Sequence, residues 1–311
     1  MIKVLCVVGP TAVGKTKTAV MLAKMLSGEV ISADSMQIYR KMNIGTAKPC
    51  ECEKEGIAHH MIDIAEPSEN YSCADFCERA ALCAKEVASR GKVPIFCGGT
   101  GLYIDNIING TRFSSAPQSE KIRRELWEFY EKNGADALHK RLFDCDAESA
   151  KAIHQNNVKR VIRALEIYMV SGKTKTEWDI ESRQKGSEFL PYIAFLSCRD
   201  RDVLYERIDK RVDEMFDMGL YDEVMTLYRS GELQKGKTAY SAIGYKEIIE
   251  AVNGGYDIEK AKELIKKNTR NYSKRQITWF SRHGDVNTFY TDEGRSLLDI
   301  AKEIASGFIE L

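Results

Sequence analysis

The sequence predicts an α/β protein with a parallel-sheet core, interrupted by an all-helical insertion. Three observations carry this. Apolar runs of strand length alternate with segments of helical period over the first hundred residues, and the alternation resumes after about residue 187. A pattern G-x-x-x-x-G-K-[ST], formed by Gly9, Pro10, Thr11, Ala12, Val13, Gly14, Lys15 and Thr16, joins the first apolar run to the first helical one. Between 111 and 186 the strand pattern disappears and only helical periodicity is left. The expected layout is a core of residues 1–110 and 187–311 with an insertion at 111–186.

The first strand is Ile2 to Val8. Gly9 and Gly14 let the following backbone bend until successive N–H groups point into one concavity, Lys15 adds a point charge, and the helix N-terminus adds its partial positive charge. This is a phosphate cradle, with Thr16 placed to ligate Mg²⁺; the loop does not say which phosphate it holds. Ala19, Leu22, Ala23 and Leu26 recur at helical spacing up to Gly28. The second strand, Glu29 to Ala33, delivers Asp34 to its carboxyl end, where ligands gather in doubly wound folds. The alternative is an Asp that caps a short helix.

Residues 45 to 71 are irregular, with one candidate short strand at His59 to Ile64. Adjacent His59 and His60 point to opposite sides of a strand and make a poor metal pair. A helix opens at Ser72, where Asp75 completes a capping box, and Phe76, Ala80, Cys83, Ala84 and Val87 keep its period to Gly91. The third strand, Val93 to Cys97, runs into Gly98, Gly99 and Thr100: a backbone that approaches a ligand closely, or a plain tight turn.

In the insertion the spacing predicts helices over Gln118–Asn133, Asp136–Phe143, Ala147–Ile153 and Val158–Val170, then a polar linker from Lys173 to Gly186. Lys121, Arg123 and Arg124 cluster on the first helix, and Lys159, Arg160 and Arg163 on the last. Each cluster is either a solvated face or a site for an anionic partner. Beyond it come a strand at Tyr192–Cys198, helices over Arg201–Met218, after Leu220, over Ala242–Val252 and from Ile258 to about Arg282, a strand at Val286–Tyr290 and a closing helix. The helix from Ile258 interleaves Lys266, Lys267, Arg270, Lys274, Arg275 and Arg282 with Tyr272, Trp279 and Phe280, which suits contact with a nucleic-acid backbone and stacking on bases.

With 43% hydrophobic and 30% charged residues and a formal net charge of +0, the 311-residue chain reads as an ordinary globular protein. Neutrality argues against indiscriminate nucleic-acid binding while leaving room for one basic face. Nine cysteines without Cys-x-x-Cys spacing suggest free thiols in a reducing cytosol. No apolar run approaches membrane-spanning length, and the chain enters its first strand directly, with no room for a signal peptide; a cytoplasmic protein without membrane association is expected.

A phosphate cradle alone suggests an ATP-binding kinase or ATPase. Those usually carry a second acidic residue at an apolar strand end. The run Val93 to Cys97 offers none, and Asp34 is left as metal partner or general base. One base beside a cradle suits transfer of the non-phosphate half of a diphosphate ester, with the cradle holding the leaving group.

The motifs GPTAVGKT (9–16), SADSMQIYR (32–40), GTAKP (45–49), GGTGLY (98–103), NVKRVIRALE (157–166), RVDEMFDMGLYDEV (211–224), AIGYKE (242–247) and KRQITWF (274–280) occur in the order found in one family. The sequence resembles the tRNA dimethylallyltransferases, over nearly its whole length. The resemblance implies a P-loop NTPase-like core, and a helical insertion that grips the anticodon arm of tRNA. It further implies transfer of a dimethylallyl group from dimethylallyl diphosphate to N6 of the adenosine immediately 3′ of the anticodon. Lys15 and Mg²⁺ on Thr16 would stabilise the departing diphosphate, and Asp34 would take the N6 proton. The target base would be flipped into a channel and met by Asp34, Ser35, Met36 and Gln37. Thr100 is implied as a tRNA contact near the reaction centre, Arg123 as one on the insertion, and Lys159, Arg160, Val161, Ile162 and Arg163 as another contact stretch. Arginines closing on the diphosphate lie among Arg207, Arg211 and Arg275, and a monomer is expected. A prenyltransferase acting on free adenine nucleotides would keep the cradle and Asp34 without needing the inserted module or the basic helix.

Overall fold

The computed structural model describes residues 1–110, 119–183 and 186–311. Its chain forms two compact units, Met1–Ile108 with Glu188–Leu311, and Asn109–Ser187. In chain order the first unit begins β1 (Ile2–Val8), α1 (Lys15–Leu26), β2 (Gly28–Ser32), α2 (Glu51–Lys54), β3 (His59–His60), α3 (Cys73–Ser89), β4 (Val93–Gly98) and α4 (Gly101–Ile108). The second unit holds α5 (Glu120–Cys145), α6 (Ala147–Ala152), α7 (Val158–Ser171) and α8 (Lys175–Arg183). The first unit resumes with β5 (Phe189–Ser197), α9 (Arg201–Asp217), α10 (Leu220–Arg229), a 3₁₀ turn at Ala239–Ser241, α11 (Tyr245–Val252), α12 (Ile258–Phe280), β6 (Val286–Tyr290) and α13 (Leu297–Glu310).

Six strands form one parallel sheet in the order β3-β2-β4-β1-β5-β6. The strand β1 is apolar and buried from Val4 to Val8 because helices cover both its faces there. Val4, Cys6 and Val8 enter one core cluster with α3, α4, α10 and α11, while Leu5 and Val7 enter the other with α1 and α13. Register brings the carboxyl ends level: Val8 pairs with Gly98 and with Phe195, Ser32 with Cys97, and Ser197 with Tyr290. The cradle, Asp34 and Thr100 all leave the sheet from this one edge. α3 opens with the capping box read from Ser72 and Asp75.

Four features depart from the sequence reading. Gly98-Gly99-Thr100 leads into the helix α4, whose Tyr103, Ile104 and Ile107 are buried, so an apolar stripe continues past the turn. The stretch from Lys173 contains α8, capped reciprocally by Thr174 and Glu177; the Thr-x-x-Glu spacing was the missed signal. The two helices expected over Gln118–Asn133 and Asp136–Phe143 run on as α5 across a kink at Gly134, whose φ of 82° and ψ of 175° are non-helical; Gln118 itself lies outside the described residues. Finally, Cys50 and Cys52, expected as free thiols, are joined by a disulfide, their Cα atoms 5.3 Å apart at the turn into α2; that spacing lies within bonding reach. The other seven cysteines are free. His60 Nε2 donates to the Glu29 carboxylate at 2.7 Å, and among the described residues no cluster of His, Cys, Asp and Glu could hold a metal ion.

The second unit has its own core of Leu126, Leu138, Leu142, Ala150, Ile153, Val161, Ile162, Ala164 and Leu165. At its centre the fully buried Glu166 accepts hydrogen bonds from the Ser119 amide (2.8 Å), Arg123 (3.0 Å) and Arg163 (2.6 Å). Burial alone raises a carboxyl pKa, but these donors outweigh it and hold Glu166 below its ordinary value.

Candidate active site

The cradle is shaped by backbone that only certain residues tolerate. Gly9 sits at φ +147°, and a Cβ there would fall 2.2 Å from the Leu196 carbonyl oxygen of β5. Gly14, at φ +87°, caps α1 without offering a side-chain acceptor, and the first turn of α1 has no acidic residue. The amides of that turn and the positive end of the helix are therefore left for an external anion. Lys15 turns back over the loop and donates to the Pro10 carbonyl at 2.7 Å. Its burial beside Arg211 lowers its pKa to about 8, against the opposing pull of Cys97 and Asp34. Burial is the largest of these effects.

A cavity of about 660 Å³ opens over the loop. Thr11, Ala12, Gly14, Lys15 and Thr16 line one part of it, and Asp34, Ser35, Met36 and Gln37 another. Gly9, Pro10 and Val13 do not face it: Val13 is packed in the core, and Gly9 lies against Leu196. Among the described residues the Thr16 hydroxyl has no hydrogen-bond partner, which leaves it available to a cation held also by diphosphate oxygens and water. Asp34 Oδ1 accepts the Met36 amide at 2.9 Å, which braces a turn at 35–38 and not the short helix the sequence alternative offered, while Oδ2 accepts nothing from the described residues. One carboxylate thus braces its own turn and still presents a free oxygen to the cavity.

Thr100 does not line the cavity. Its Oγ1 accepts the Ser35 amide at 3.1 Å and its own amide donates to the Ala33 carbonyl at 3.2 Å, so it holds the Asp34 turn from behind. Gln37 is already committed: its amide nitrogen donates to the carbonyls of Thr46 (3.3 Å) and Ala47 (3.2 Å), and its oxygen accepts from Ser32 (2.9 Å). Its oxygen keeps a second lone pair for a donor on a base edge, but its NH2 group must exchange one of these bonds to donate to a base.

Of the three candidate arginines, Arg207 is anchored to Thr291 through two donors at 2.9 and 3.1 Å. Arg275 is exposed, its guanidinium 5.5 Å from the Tyr272 ring centre. All three line the cavity, but Arg211 makes no hydrogen bond or ion pair with another described residue and has its pKa lowered by burial. A desolvated guanidinium without a carboxylate partner is a ready site for an anion.

Sequence reasoning missed Gln276. It accepts the Thr11 amide at 3.1 Å and donates to the Gly99 carbonyl at 3.0 Å, tying the cradle to the β4 turn from α12. Tyr272 lines the cavity, its hydroxyl pushed up to about 12 by burial and by the Asp34 carboxylate. The rest of the aromatic pattern on α12 is structural rather than exposed for stacking. Phe280 is buried, and Trp279 donates to Asp105 at 2.9 Å and covers Gly101. Lys266 and Arg270 are paired with Asp213 and Asp209, which leaves Lys260, Lys267, Lys274 and Arg275 as the exposed cations of that helix, with Arg282 exposed just beyond its end. On α7, Val161 and Ile162 turn inward with the core of their unit, so the side chains exposed for a partner are Lys159 and Arg160. Arg123 and Arg163 are half-buried on Glu166.

Comparison with known proteins agrees with this geometry. The family described as IPP transferase matches residues 37–283, and the one described as isopentenyl transferase matches residues 2–70. A tRNA dimethylallyltransferase of Caldanaerobacter subterraneus is 43% identical over 304 residues, covering 97% of this chain and 96% of its own. One from Halalkalibacterium halodurans is 46% identical over 289 residues, covering 92% and 90%. The crystal structure of a full-length tRNA isopentenylpyrophosphate transferase from Bacillus halodurans superposes with a TM-score of 0.73 at 43% identity, over 100% of this chain and 98% of that one. A eukaryotic dimethylallyltransferase acting on tRNA gives 0.80 at 30% identity, over 94% and 75%. Likeness of this extent in both sequence and structure places the chain in the IPP transferase family, whose curated relatives are the tRNA dimethylallyltransferases.

Proposed function

We propose that this chain transfers the dimethylallyl group of dimethylallyl diphosphate to N6 of the adenosine immediately 3′ of the anticodon in tRNA, releasing diphosphate. The observation that carries the reading is that one cavity presents a helix N-terminus without a side-chain cap, with Lys15, and also the free oxygen of Asp34. Donor and acceptor chemistry then meet in one enclosure.

The bond between C1 of the dimethylallyl group and the diphosphate oxygen breaks, and its electron pair stays on diphosphate. The loop amides, Lys15 and Arg211 receive that growing charge, and their burial strengthens the interaction. Thr16 would hold Mg²⁺, which when bound neutralises diphosphate charge as the bond lengthens. The new bond joins C1 to N6, whose lone pair is delocalised into the adenine ring; Asp34 accepts the hydrogen bond from N6 and then its proton. Thr100 and Met36 keep that carboxylate in place through the 33–36 backbone. The target adenosine reaches the cavity unstacked, and Ser35, Met36 and Gln37 form the wall it meets. Lys159 and Arg160 on α7, with the exposed cations of α12, supply contacts to tRNA phosphates. The enzyme is read as a cytoplasmic monomer; no helix among the described residues is long and apolar enough to cross a membrane.

The test is transfer of label from radiolabelled dimethylallyl diphosphate, with Mg²⁺, into three acceptors: tRNA with adenosine 3′ of the anticodon, the same tRNA with guanosine there, and AMP. Label only in the first supports the proposal. Label in AMP moves the assignment to a nucleotide prenyltransferase, and label in none of them overturns it. Removing Mg²⁺ with EDTA should abolish transfer.

A further inference from the structure

The segment 43–47 forms part of the cavity wall through Gly45, Thr46 and Ala47. It has no regular secondary structure to hold it, so its backbone donors must be satisfied by something else. Three of them converge on one side chain, while the Ala47 amide donates to the Ile44 carbonyl. Glu223 of α10 accepts the Asn43 amide (2.9 Å) and the Ile44 amide (2.8 Å) on Oε2, and the Gly45 amide (3.1 Å) together with the Tyr245 hydroxyl (2.5 Å) on Oε1. Tyr245 is fully buried, and its ring is laid so closely on Gly45 that a Cβ there would fall 2.4 Å from it. Below this clamp, the carbonyls of Thr46 and Ala47 are the acceptors that orient Gln37, three residues from Asp34.

These contacts join distant parts of the first unit. α10 follows directly on α9, which carries Arg207 and Arg211, and Tyr245 opens α11. The segment 43–47 belongs to the β2 side, which carries Asp34. A four-donor carboxylate at the junction sets the distance between the arginine-bearing helix and the wall beside the base.

We propose that Glu223, with Tyr245, is a positioning residue that locks the 43–47 wall and Gln37 in register for the acceptor base. Neither residue touches the reacting atoms. The inference rests on the transferase reading for its kinetic consequence and on geometry alone for its structural one. Losing the lock lets the wall drift by a fraction of an ångström to an ångström, a displacement that costs up to about a hundredfold in rate when it misaligns reacting groups. The donor diphosphate, held by the cradle and Arg211, is untouched.

The test uses the full chain with Tyr245→Phe, which keeps the ring on Gly45 and deletes one donor, and Glu223→Gln, which replaces one acceptor oxygen with a donor. Steady-state transfer is measured against tRNA and against dimethylallyl diphosphate, along with inorganic diphosphate binding and amide hydrogen exchange over residues 43–47. The expected result for Glu223→Gln is a ten- to hundredfold loss in kcat/KM for tRNA, on the order set by misalignment. Tyr245→Phe should show a smaller loss in the same direction, and diphosphate affinity should stay within about twofold. Exchange at Asn43, Ile44 and Gly45 should accelerate in both variants. A Tyr245→Phe protein that folds and keeps both tRNA kinetics and exchange protection overturns the proposal. So does a loss of inorganic diphosphate affinity as large as the loss in transfer to tRNA, which marks a purely structural role. If the parent protein transfers nothing to tRNA, the transferase reading fails, while exchange at 43–45 still decides whether the lock exists.

Discussion

Lys15 offers the sharpest test of the cradle, because its charge is the term that burial weakens most. In the free protein its pKa falls from 10.5 to about 8, with burial the first cause and Arg211 adding to it. Cys97 and Asp34 pull the other way, but burial holds the Cys97 thiol up to about 11, so near pH 8 it is neutral and gives Lys15 no support. Diphosphate binding restores a counter-charge and favours the ammonium form. The sign follows: affinity for the anion is full below pH 8 and lost as pH rises through it. A group of pKa about 8 is roughly nine-tenths protonated at pH 7 and one-tenth at pH 9. Hence kcat/KM for dimethylallyl diphosphate should fall close to tenfold, by the same titration, between those values. Phosphate groups ionise near pH 6, so the ligand's own titration lies below this window. Binding of dimethylallyl diphosphate at pH 8 in the absence of tRNA should take up about half a proton, read by calorimetry in two buffers of different ionisation enthalpy. Lys15→Arg should bind more weakly yet flatten the profile, since arginine stays charged. A flat wild-type profile from pH 7 to 9.5, or a tenfold drop that persists in Lys15→Arg, would refute this account of the cradle.

Asp34→Ala should lower turnover by roughly 10² to 10⁴, the range for losing a general base, with diphosphate binding nearly intact in a direct titration. Arg211→Gln should raise KM for dimethylallyl diphosphate about 10- to 100-fold, as expected for one lost charge-assisted hydrogen bond, without changing the salt dependence of tRNA binding. For Lys159→Ala with Arg160→Ala, the plot of log affinity for tRNA against log salt should flatten by roughly 0.7 to 0.9 per phosphate contact removed. Glu29 is 5% exposed; burial alone would raise its pKa, but Lys92, His60 and Arg90 bring it to about 2. Its depressed pKa means stability present above about pH 4.5 and lost as pH falls towards 2, worth at most about 3 kcal/mol. Denaturant melts of Glu29→Gln between pH 5 and 3 should show a flatter acid dependence than the parent.

Much of the core could be read from local order. The strands at Ile2–Val8 and Val286–Tyr290 and the box at Ser72 and Asp75 stand where periodicity and cap chemistry put them, because those signals act within a few residues. α4 escaped because two glycines and a threonine read as a turn, and its buried stripe begins only after them. α8 escaped because a polar stretch hides its boundary, even though Thr174 and Glu177 mark it. The inward turn of Val161 and Ile162 follows from helix phase: in a run of five consecutive residues some must face the core.

The cradle at 9–16, the single acid at the end of β2 and the order of the motifs are linear properties, and the residues themselves specify them. The burial and lack of partners that set Arg211 apart from Arg207 and Arg275, the bracing of Asp34 by Thr100, the bridge of Gln276 between loop and sheet, and the contacts of Glu223 with residues 43–45 are different in kind. Each depends on burial and on hydrogen bonds between segments from tens to hundreds of residues apart. Such pairings are set by how helices pack on the sheet, and no local pattern of side chains encodes them.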